Sequence, residues 1–269
     1  MAAGALSAAR ATARLAGLAF LMTASANAAS PEIVNELAPG GRLRAAINYG
    51  NPVLAQRDAA TGALGGVTVD LARELGRRLK VAVDLVPFDT AGKVADSANA
   101  NVWDVAFLAV DPVRANEIAF TAPYVLIEGA YMVPAGSALR TIGDVDRAGV
   151  RIAVASGSAY DLYLTRTIER AQIVRAPTGN EAIAMFERDG LEVAAGVKSP
   201  LLRLAASRPD LRVMDGRFMV IEQAMGVPKG RTAAVRYLRT VIEELKASGF
   251  IADALARSGQ ADALVAPAA

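Results

Sequence analysis

The chain has 269 residues, 53% of them hydrophobic and 21% charged, and it carries 29 lysines and arginines against 27 aspartates and glutamates. It contains no cysteine and no histidine, which excludes disulfides, thiolate catalysis and Ser-His-Asp mechanisms and argues against zinc sites of the usual kind. A chain of this length suits one large domain or two small ones.

The N-terminal residues have the pattern of a secretory signal peptide. Arg10 and Arg14 precede the apolar run 15–22, and Ala26-Asn27-Ala28 matches an A-x-A cleavage site. The apolar run is too short to span a bilayer, and no later segment offers a charge-free run of spanning length. We therefore expect residues 1–28 to be removed and a soluble periplasmic or secreted protein to remain, without a lipid anchor because there is no cysteine to carry one. The alternative, a helix packed onto the domain, fits this pattern less well.

Removal of this leader changes the charge balance. Two of the 29 basic residues, Arg10 and Arg14, lie in it and no acidic residue does, so 27 basic and 27 acidic residues remain. A net charge of zero gives no indication of a nucleic acid partner.

The first part of the mature chain predicts strands and a helix in succession. Residues 43–47 are predicted as a strand that ends in a turn-rich loop, which carries Tyr49 and Asn51. Residues 67–79 place apolar side chains at helical spacing, as in an amphipathic helix that covers a sheet. Residues 81–86 alternate as in a strand.

The segment Asp89–Lys93 follows the strand 81–86 and invites comparison with a phosphate loop. It does not match, because Pro87 stands where the motif has its first glycine and Val94 stands where it has serine or threonine. Lys93 is still expected on a loop at the carboxyl end of a strand, where it either contacts a ligand or is solvated.

A predicted buried strand is joined directly to an arginine. Residues 105–110 form a short apolar run rich in β-forming residues, as expected of a strand covered on both faces. Asp111 and Pro112 then predict the N-cap and the first position of a helix, which places Arg114 in its first turn. That position lies just beyond the carboxyl end of the strand, where open α/β sheets bind ligands. Arg114 is therefore either a ligand-facing cation or a surface partner of Asp111 or Glu117.

An extended run without helix caps, 125–133, is expected to cross from one lobe of the protein to another. A strand at 150–155 then ends in Ser156-Gly157-Ser158, and a helix begins at Ala159. The backbone N–H groups and hydroxyls at such a helix N-terminus suit a carboxylate or phosphate oxygen, although Ser158 also fits as an ordinary N-cap. The segments that follow are predicted as a strand at 173–175, a helix from Thr178, a strand at 192–197, a helix from Ser199, extended segments at 211–214 and 217–227, a long helix at 231–246 and a short one at 250–255.

These elements predict two α/β units in series. The chain leaves the first unit near Glu128, builds the second, and returns near Val220 to finish on the first. We therefore expect a first lobe from residues 41–129 and 221–269, and a second lobe from residues 130–220.

The whole pattern resembles bacterial extracellular solute-binding proteins of family 3, the periplasmic amino-acid-type receptors of ABC importers, from Leu43 to about Gly259. Its most specific parts are GVTVDLA at 66–72, the segment 114–124 with IAFTAPY at its end, and MGVPKG at 225–230. The resemblance implies an α/β fold of the periplasmic binding protein-like type II, with two α/β lobes joined by two crossing strands and a ligand cleft between them. It also implies a monomeric receptor, not an enzyme, that needs no metal or cofactor and passes a small-molecule ligand to an ABC transporter permease in the inner membrane.

The resemblance implies a ligand site at matching positions of this chain. Arg114 falls where the family grips the α-carboxylate of the ligand, and the fork of donors on a guanidinium suits that pair of oxygens. The helix N-terminus that follows the first strand of the second lobe completes the grip. The other positions that the resemblance places at the ligand are Tyr49, Asn51, Lys93, Ala109, Ser156, Ser158 and Ala159.

Two departures from the family pattern bear on the ligand. Asp111 stands where the family commonly has a hydroxyl residue, and a carboxylate there would repel a bound carboxylate unless it caps the helix or pairs with Arg114. The family's usual aspartate for the ligand ammonium would fall near Val197 or Lys198, and neither is acidic. With Arg114, Lys93 and Lys198 as candidate cations, we expect a small amino-acid-like or, somewhat better, an anionic organic solute.

Two other classes of function stay open at this point. A periplasmic enzyme on the same fold, similar to cyclohexadienyl dehydratases, would need a general acid in the cleft, for which Glu128 is the candidate. The sensor domain of a receptor kinase fits less well, because we find no transmembrane segment after the domain.

Overall fold

A central mixed β-sheet of ten strands organises the protein, which the computed structural model describes over residues 29–269. The signal peptide predicted for residues 1–28 lies outside the described residues. The strands are β1 (Arg42–Asn48), β2 (Gln56–Arg57), β3 (Leu64–Gly65), β4 (Ala82–Phe88), β5 (Val105–Ala109), β6 (Ile118–Pro134), β7 (Arg151–Ala155), β8 (Gln172–Ala176), β9 (Val193–Val197), β10 (Leu211–Val213), β11 (Met219–Pro228) and β12 (Leu264–Val265). The helices are α1 (Pro31–Leu37), α2 (Val67–Leu79), α3 (Ala91–Asp96), α4 (Ala159–Thr167), α5 (Gly179–Arg188), α6 (Lys198–Ala206), α7 (Thr232–Ala247) and α8 (Phe250–Arg257). Between residues 29 and 269, none of the helices combines the length and the apolar content needed to cross a bilayer.

The sheet divides into two parallel halves joined by an antiparallel pair. Its strand order is β4-β1-β5-β11-β6-β9-β7-β8, and β10 and β12 pair with β6, whereas β2 and β3 form a separate two-stranded sheet. β1 is parallel to β4 and β5, and β7 is parallel to β8 and β9, whereas β11 is antiparallel to both β5 and β6. We call the β4-β1-β5 half with α2, α3, α7 and α8 lobe 1, and the β9-β7-β8 half with α4, α5 and α6 lobe 2.

β6 and β11 are the crossing strands that connect the lobes. β6 extends over 17 residues and pairs with β9 of lobe 2, while its neighbour β11 pairs with β5 of lobe 1. The extended run predicted at 125–133 lies within β6, so that prediction is confirmed. The register between β6 and β11 shifts between Gln223 and Ala224 and again between Ala224 and Gly226. Such irregularities locally bend and twist a strand.

The helices α2 and α7 cover lobe 1 with the apolar faces that the sequence predicted. In α2, Leu71, Ala72 and Leu75 are fully buried, because they recur on one side of the helix. α7 buries Leu238 and Ile242 in the same way. Each fully buried leucine or isoleucine contributes on the order of 2 kcal/mol relative to an exposed one. Both predicted helices are confirmed.

Two helices form where none was predicted, and both depend on a capping side chain. Residues 91–96 form α3 rather than a loop, because Thr90 Oγ1 accepts a hydrogen bond from the N–H of Lys93 (3.3 Å). Ser30 Oγ likewise accepts the N–H of Ile33 (3.4 Å) at the start of α1. The prediction that Lys93 lies on a loop is therefore wrong, and Lys93 is part of a helix.

The α-helix predicted from Asp111 and Pro112 does not form. A single turn of 3-10 helix at Arg114–Asn116 takes its place, because β6 begins at Ile118 and leaves no room for a longer helix. Asp111 Oδ1 nevertheless accepts the N–H of Val113 (2.8 Å), so the aspartate stabilises the turn instead of capping a helix.

Asp104 is a buried carboxylate that connects two elements of lobe 1. It is 0% exposed and accepts hydrogen bonds from Arg44 Nε (2.9 Å) and Arg231 Nη1 (2.9 Å). Burial by itself would raise the pKa of Asp104, but the hydrogen bonds from the two arginines outweigh it and hold the pKa below the ordinary aspartate value. The ionised carboxylate therefore joins β1 to the start of α7.

Candidate functional site

A cavity of about 380 Å³ lies between the two lobes. Its wall contains residues at or just after the ends of five strands, namely Asn48, Asp89, Ala109, Ala155 and Val197. The carboxyl ends of parallel strands are where open α/β sheets bind ligands. A cavity of this size suits a small organic molecule.

Arg114 is the buried cation of this cavity. It follows β5 and is only 4% exposed. Nη1 donates to the carbonyl oxygen of Ala109 (3.0 Å) and Nη2 donates to that of Gly157 in lobe 2 (2.8 Å). The Nε–H is buried without a hydrogen-bond partner among residues 29–269. Burial lowers the pKa of Arg114 to about 10, against the opposing influence of Asp111 and Asp96, so the guanidinium stays charged at neutral pH.

The geometry distinguishes the two roles left open for Arg114. Glu117 accepts a hydrogen bond from Asn99 Nδ2 (2.7 Å), and Asp111 Oδ2 accepts one from Arg166 Nη2 (2.9 Å). Both carboxylates are thus engaged elsewhere, and the guanidinium of Arg114 is buried against two carbonyl oxygens. Arg114 is therefore part of the cavity wall and not a surface ion pair.

The N-terminus of α4 forms another part of the wall. Ser156, Ser158 and Ala159 line the cavity. Ser158 Oγ accepts the N–H of Asp161 (3.1 Å), and Asp161 Oδ2 accepts the N–H of Gly157 (2.9 Å). Ser158 is thus the N-cap of α4, and the N–H of Gly157, which an anion at this turn would use, is already bonded to a carboxylate.

Asp89 is the second charged residue of the cavity wall. Its Oδ2 accepts a hydrogen bond from Lys93 Nζ (2.7 Å), whereas Oδ1 is buried with no hydrogen-bond partner in the described part of the chain. Of the residues described, Asp89 and Arg114 are the charged ones that line this cavity. The wall therefore combines one carboxylate and one guanidinium, each with one unsatisfied polar atom.

Six of the ten predicted site residues line the cavity: Asn51, Ala109, Arg114, Ser156, Ser158 and Ala159. Tyr49 lies outside the wall, with its ring centroid 5.6 Å from the guanidinium carbon of Arg57. Lys93 also lies outside, where it pairs with Asp89 and keeps 60% of its side chain exposed.

Asp111 and Lys198, the other two predicted residues, take part in ion pairs outside the wall. Asp111 is 3% exposed and bonds to Arg166 on α4, so this pair joins the two lobes. Lys198 Nζ lies 2.7 Å from Glu128 Oε2, and Arg217 Nη1 lies 2.6 Å from Glu128 Oε1. These two hydrogen bonds hold the pKa of Glu128 below its ordinary value. Lys198 therefore shares one carboxylate with Arg217, and Glu128 has no proton to donate at neutral pH.

Several residues of the wall were not predicted. The polar ones are Asn48, Asp89, Thr90, Tyr160, Asn180 and Gln223, and the main apolar ones are Ile183, Pro200, Leu201, Leu204 and Ile221. A signal existed for Gln223, because a glutamine interrupts a mostly apolar extended segment of the sequence, and the structure leaves it only 5% exposed. The apolar residues give no such signal, since a helix face that lines a cavity has the same pattern as one that lines a core. Within residues 29–269, no group of three or more potential ligands is placed to hold a metal ion.

The two lobes touch beside the cavity at a pair of glycines. A Cβ on Gly157 would lie 2.9 Å from Gly92 Cα, and a Cβ on Gly92 would lie 3.3 Å from Gly157 Cα and from the carbonyl oxygen of Ser156. Gly157 also has a φ of 69°, which favours glycine. Together with the Arg114 and Asp111 bonds to lobe 2, this contact holds the lobes against each other.

Three solved structures with this architecture come from other proteins. A mutant of ArgBP from T. maritima has a TM-score of 0.73 at 23% identity, and the match covers 84% of this chain and 99% of the other. AbpA from Streptococcus pneumoniae, an amino acid ABC transporter substrate-binding protein bound to L-arginine, has a TM-score of 0.72 at 18% identity, over 84% of this chain and 97% of the other. The ancestral amino acid-binding protein AncCDT-1, a precursor of cyclohexadienyl dehydratase, has a TM-score of 0.70 at 19% identity, over 83% and 98%. These identities establish the shared fold alone.

A sequence match to a protein family gives evidence beyond the shared fold. No curated protein matches the chain significantly. The sequence profile of the bacterial extracellular solute-binding proteins, family 3, matches residues 43–260, which include the whole cavity wall. The type II periplasmic binding fold expected from the sequence is thereby confirmed. The chain belongs to the bacterial extracellular solute-binding proteins of family 3.

Proposed function

We propose that the protein is a periplasmic receptor of an ABC importer, which binds a small amino-acid-like or anionic organic solute between its lobes and delivers it to a permease in the inner membrane. The observation that carries this function is the buried, charged Arg114 with an unsatisfied Nε–H at the cavity wall. Membership of a solute-binding family and the likeness to AbpA, an amino acid ABC transporter substrate-binding protein, support it.

Arg114 has the chemistry to anchor a carboxylate. Its bonds to the carbonyl oxygens of Ala109 and Gly157 fix the plane of the guanidinium, so little conformational freedom is lost when a ligand binds. The remaining N–H donors, Nε–H among them, are then available to an anion. Hydrogen bonds between charged partners are about twice as strong as neutral ones, and burial strengthens them further.

In this function the lobes open about β6 and β11 to admit the solute and close to bury it. The Arg114 bond to Gly157 and the Asp111 pair with Arg166 both join lobe 1 to lobe 2. Closure therefore fixes the guanidinium of Arg114 through a carbonyl oxygen of lobe 2, and opening releases it.

No catalytic step is part of this function. Glu128, the candidate general acid, is paired with Lys198 and Arg217 and lies outside the cavity wall. Incubation of the protein with prephenate or arogenate should give no product in a chromatographic assay. Formation of product by the wild type would show that the fold has been adapted to catalysis.

The function also requires export, and a monomer is expected. The N-terminal sequence of the protein from a periplasmic fraction should begin at Ala29, the residue after the predicted cleavage site. Light scattering after size exclusion should give the mass of one chain. A protein that keeps residues 1–28 would contradict the expected export.

A thermal-shift screen against amino acids and small organic carboxylates, followed by calorimetry, tests solute binding. A solute at 100 times its Kd adds about 2.7 kcal/mol of stability, which raises the Tm of a domain of this size by roughly 5–10 °C. Arg114→Gln should remove the shift, whereas Arg73→Gln on the exposed face of α2 should keep it. A folded wild type that responds to no solute would refute the proposed function.

A further inference from the structure

The carboxylate of Asp89 has no role in the function derived so far. Asp89 Oδ1 and Arg114 Nε are both buried, belong to residues of the cavity wall, and lack a hydrogen-bond partner between residues 29 and 269. A buried polar atom without a partner is unfavourable unless a bound molecule satisfies it. The atom of Arg114 is a donor and suits an anion. The atom of Asp89 is an acceptor, and a cationic donor suits it best.

Local contacts fix the position of Asp89. The N–H of Tyr49 donates to the carbonyl oxygen of Phe88 (2.9 Å), and Gly50 packs so closely that a Cβ there would lie 2.0 Å from the carbonyl oxygen of Asp89. Lys93 Nζ holds Oδ2 at 2.7 Å. Lys93 thus orients the carboxylate through Oδ2, and Oδ1 has no hydrogen-bond partner among residues 29–269.

A purely structural ion pair does not explain this arrangement. Asp84 on the same strand β4 forms such a pair with Arg42, and their side chains are 44% and 54% exposed. The side chains of Lys93 and Asp89 are 60% and 34% exposed in a similar way, but Asp89 lines the cavity. Arg42 bonds both oxygens of Asp84, whereas Lys93 bonds only Oδ2 of Asp89 and leaves the buried Oδ1 without a partner among the described residues.

Part of the wall that lobe 2 contributes is apolar, beside the polar Ser156, Ser158 and Asn180. Ile183 on α5 and Pro200, Leu201 and Leu204 on α6 line it from lobe 2. Among the described residues that line the cavity there is neither a second carboxylate nor a second cation. A solute with an additional charge of either sign would bury that charge without a partner, which is strongly unfavourable.

We propose that Asp89 binds a cationic group of the solute, and that the solute is a zwitterion of zero net charge with an apolar body. Its carboxylate lies at Arg114, its cation at Asp89, and its apolar part against Leu201 and Leu204. This assignment rests on the proposed function and narrows it. It excludes plain organic anions, and it excludes solutes with two cationic groups such as arginine.

Calorimetry with matched pairs of probes tests the assignment. The pairs are L-leucine with 4-methylpentanoate, L-valine with 3-methylbutanoate, and 4-aminobutanoate with butanoate, where the second member lacks the amino group. L-arginine is the probe with an added cation. At least one zwitterion should bind the wild type about tenfold or more tightly than its partner and than arginine, and Asp89→Asn should lose most of that preference. A wild type that binds the anions or arginine as tightly as every zwitterion would overturn the assignment.

Two further variants serve as control and as second test. Asp84→Asn, which removes a carboxylate from the same strand, should keep the preference. Lys93→Gln leaves Asp89 without its neighbouring cation and should increase the preference about threefold or more. An unchanged preference for the zwitterion in Asp89→Asn would overturn the assignment. An unchanged or lower preference in Lys93→Gln would overturn it as well, and this second variant provides the test if Asp89→Asn does not fold. If no probe of any charge binds the wild type, the proposed function fails and this assignment fails with it.

Discussion

Gly92→Ala should weaken solute binding without destabilising the protein. Gly92 lies in α3 and, unlike Gly157, does not have a left-handed φ, so alanine fits the helix backbone there. A Cβ on Gly92 would lie 3.3 Å from Gly157 Cα and from the carbonyl oxygen of Ser156. Both of these atoms belong to lobe 2. The close contact therefore arises when the lobes are together and is relieved when they separate.

The size of the effect follows from this distance. Carbon atoms in favourable contact are about 3.5–4.0 Å apart, so the added methyl group is a few tenths of an ångström too close. Overpacking of this kind costs about 1–3 kcal/mol, which corresponds to a Kd raised roughly 5-fold to 150-fold. Glycine to alanine at a compatible helix position stabilises the folded state by about 0.4–1 kcal/mol through the unfolded chain. Affinity and stability should thus change in opposite directions.

Three measurements follow the effect. Calorimetry with the solute that binds the wild type most tightly gives the Kd, urea denaturation gives the free energy of unfolding, and X-ray scattering gives the radius of gyration of the liganded protein. Gly136→Ala is the matched control, because a Cβ there would meet no atom within 4 Å. An affinity of Gly92→Ala equal to that of the wild type would refute the reasoning, since the lobes would not meet at this contact when solute is bound. A parallel loss of stability would show instead that α3 itself is disrupted.

Three other substitutions test the remaining contacts. Asp104→Asn should lower the free energy of unfolding in urea by roughly 3 kcal/mol, because its two partly buried arginine partners lose their counter-charge; a loss below about 1 kcal/mol would contradict this. Folding lowers the pKa of Asp104. Its contribution to the free energy of unfolding is therefore complete above the ordinary aspartate pKa of about 3.9 and is lost as the pH falls through the folded value. The variant should accordingly lose part of the acid sensitivity of the wild type. Arg166→Gln should favour separated lobes, because Asp111 loses its partner in lobe 2; the radius of gyration without added solute should rise, and an unchanged scattering curve would count against the role of this pair. Arg114→Lys should weaken binding of a carboxylate solute by about tenfold or more in calorimetry, since lysine lacks the fork of donors, and equal affinity would exclude Arg114 as the anchor.

The elements best predicted from the sequence are those whose burial follows a simple period. α2 and α7 each carry one apolar stripe, and β5 is a short apolar run, so packing alone decides their type. α3 was missed because one capping contact from Thr90 converts a polar segment into a helix. The helix expected at Asp111 fails because β6 begins at Ile118, and a local capping pattern does not contain that constraint.

The site could be predicted only in part, for a related reason. An arginine just after a buried strand is a local pattern, and it placed Arg114 correctly in the cavity wall. The partners of Lys198 and Asp111 lie 70 and 55 residues away in the chain, so the neighbouring sequence of either residue does not show that it forms an ion pair. Asp89 was overlooked because its segment was judged only as a phosphate loop, in which the lysine and the glycines matter. The role of each charge thus depends on long-range pairing.

The shifted register of β11 gives the crossing strands a mechanical meaning. Pairing with β6 slips on both sides of Ala224, directly beside Gln223, and Gln223 lines the cavity. An irregular ladder of this kind bends and twists the strand that carries it, so β11 changes direction beside a residue of the cavity wall. A substitution at Gln223 would therefore alter the local course of the crossing strand and the lining of the cavity together.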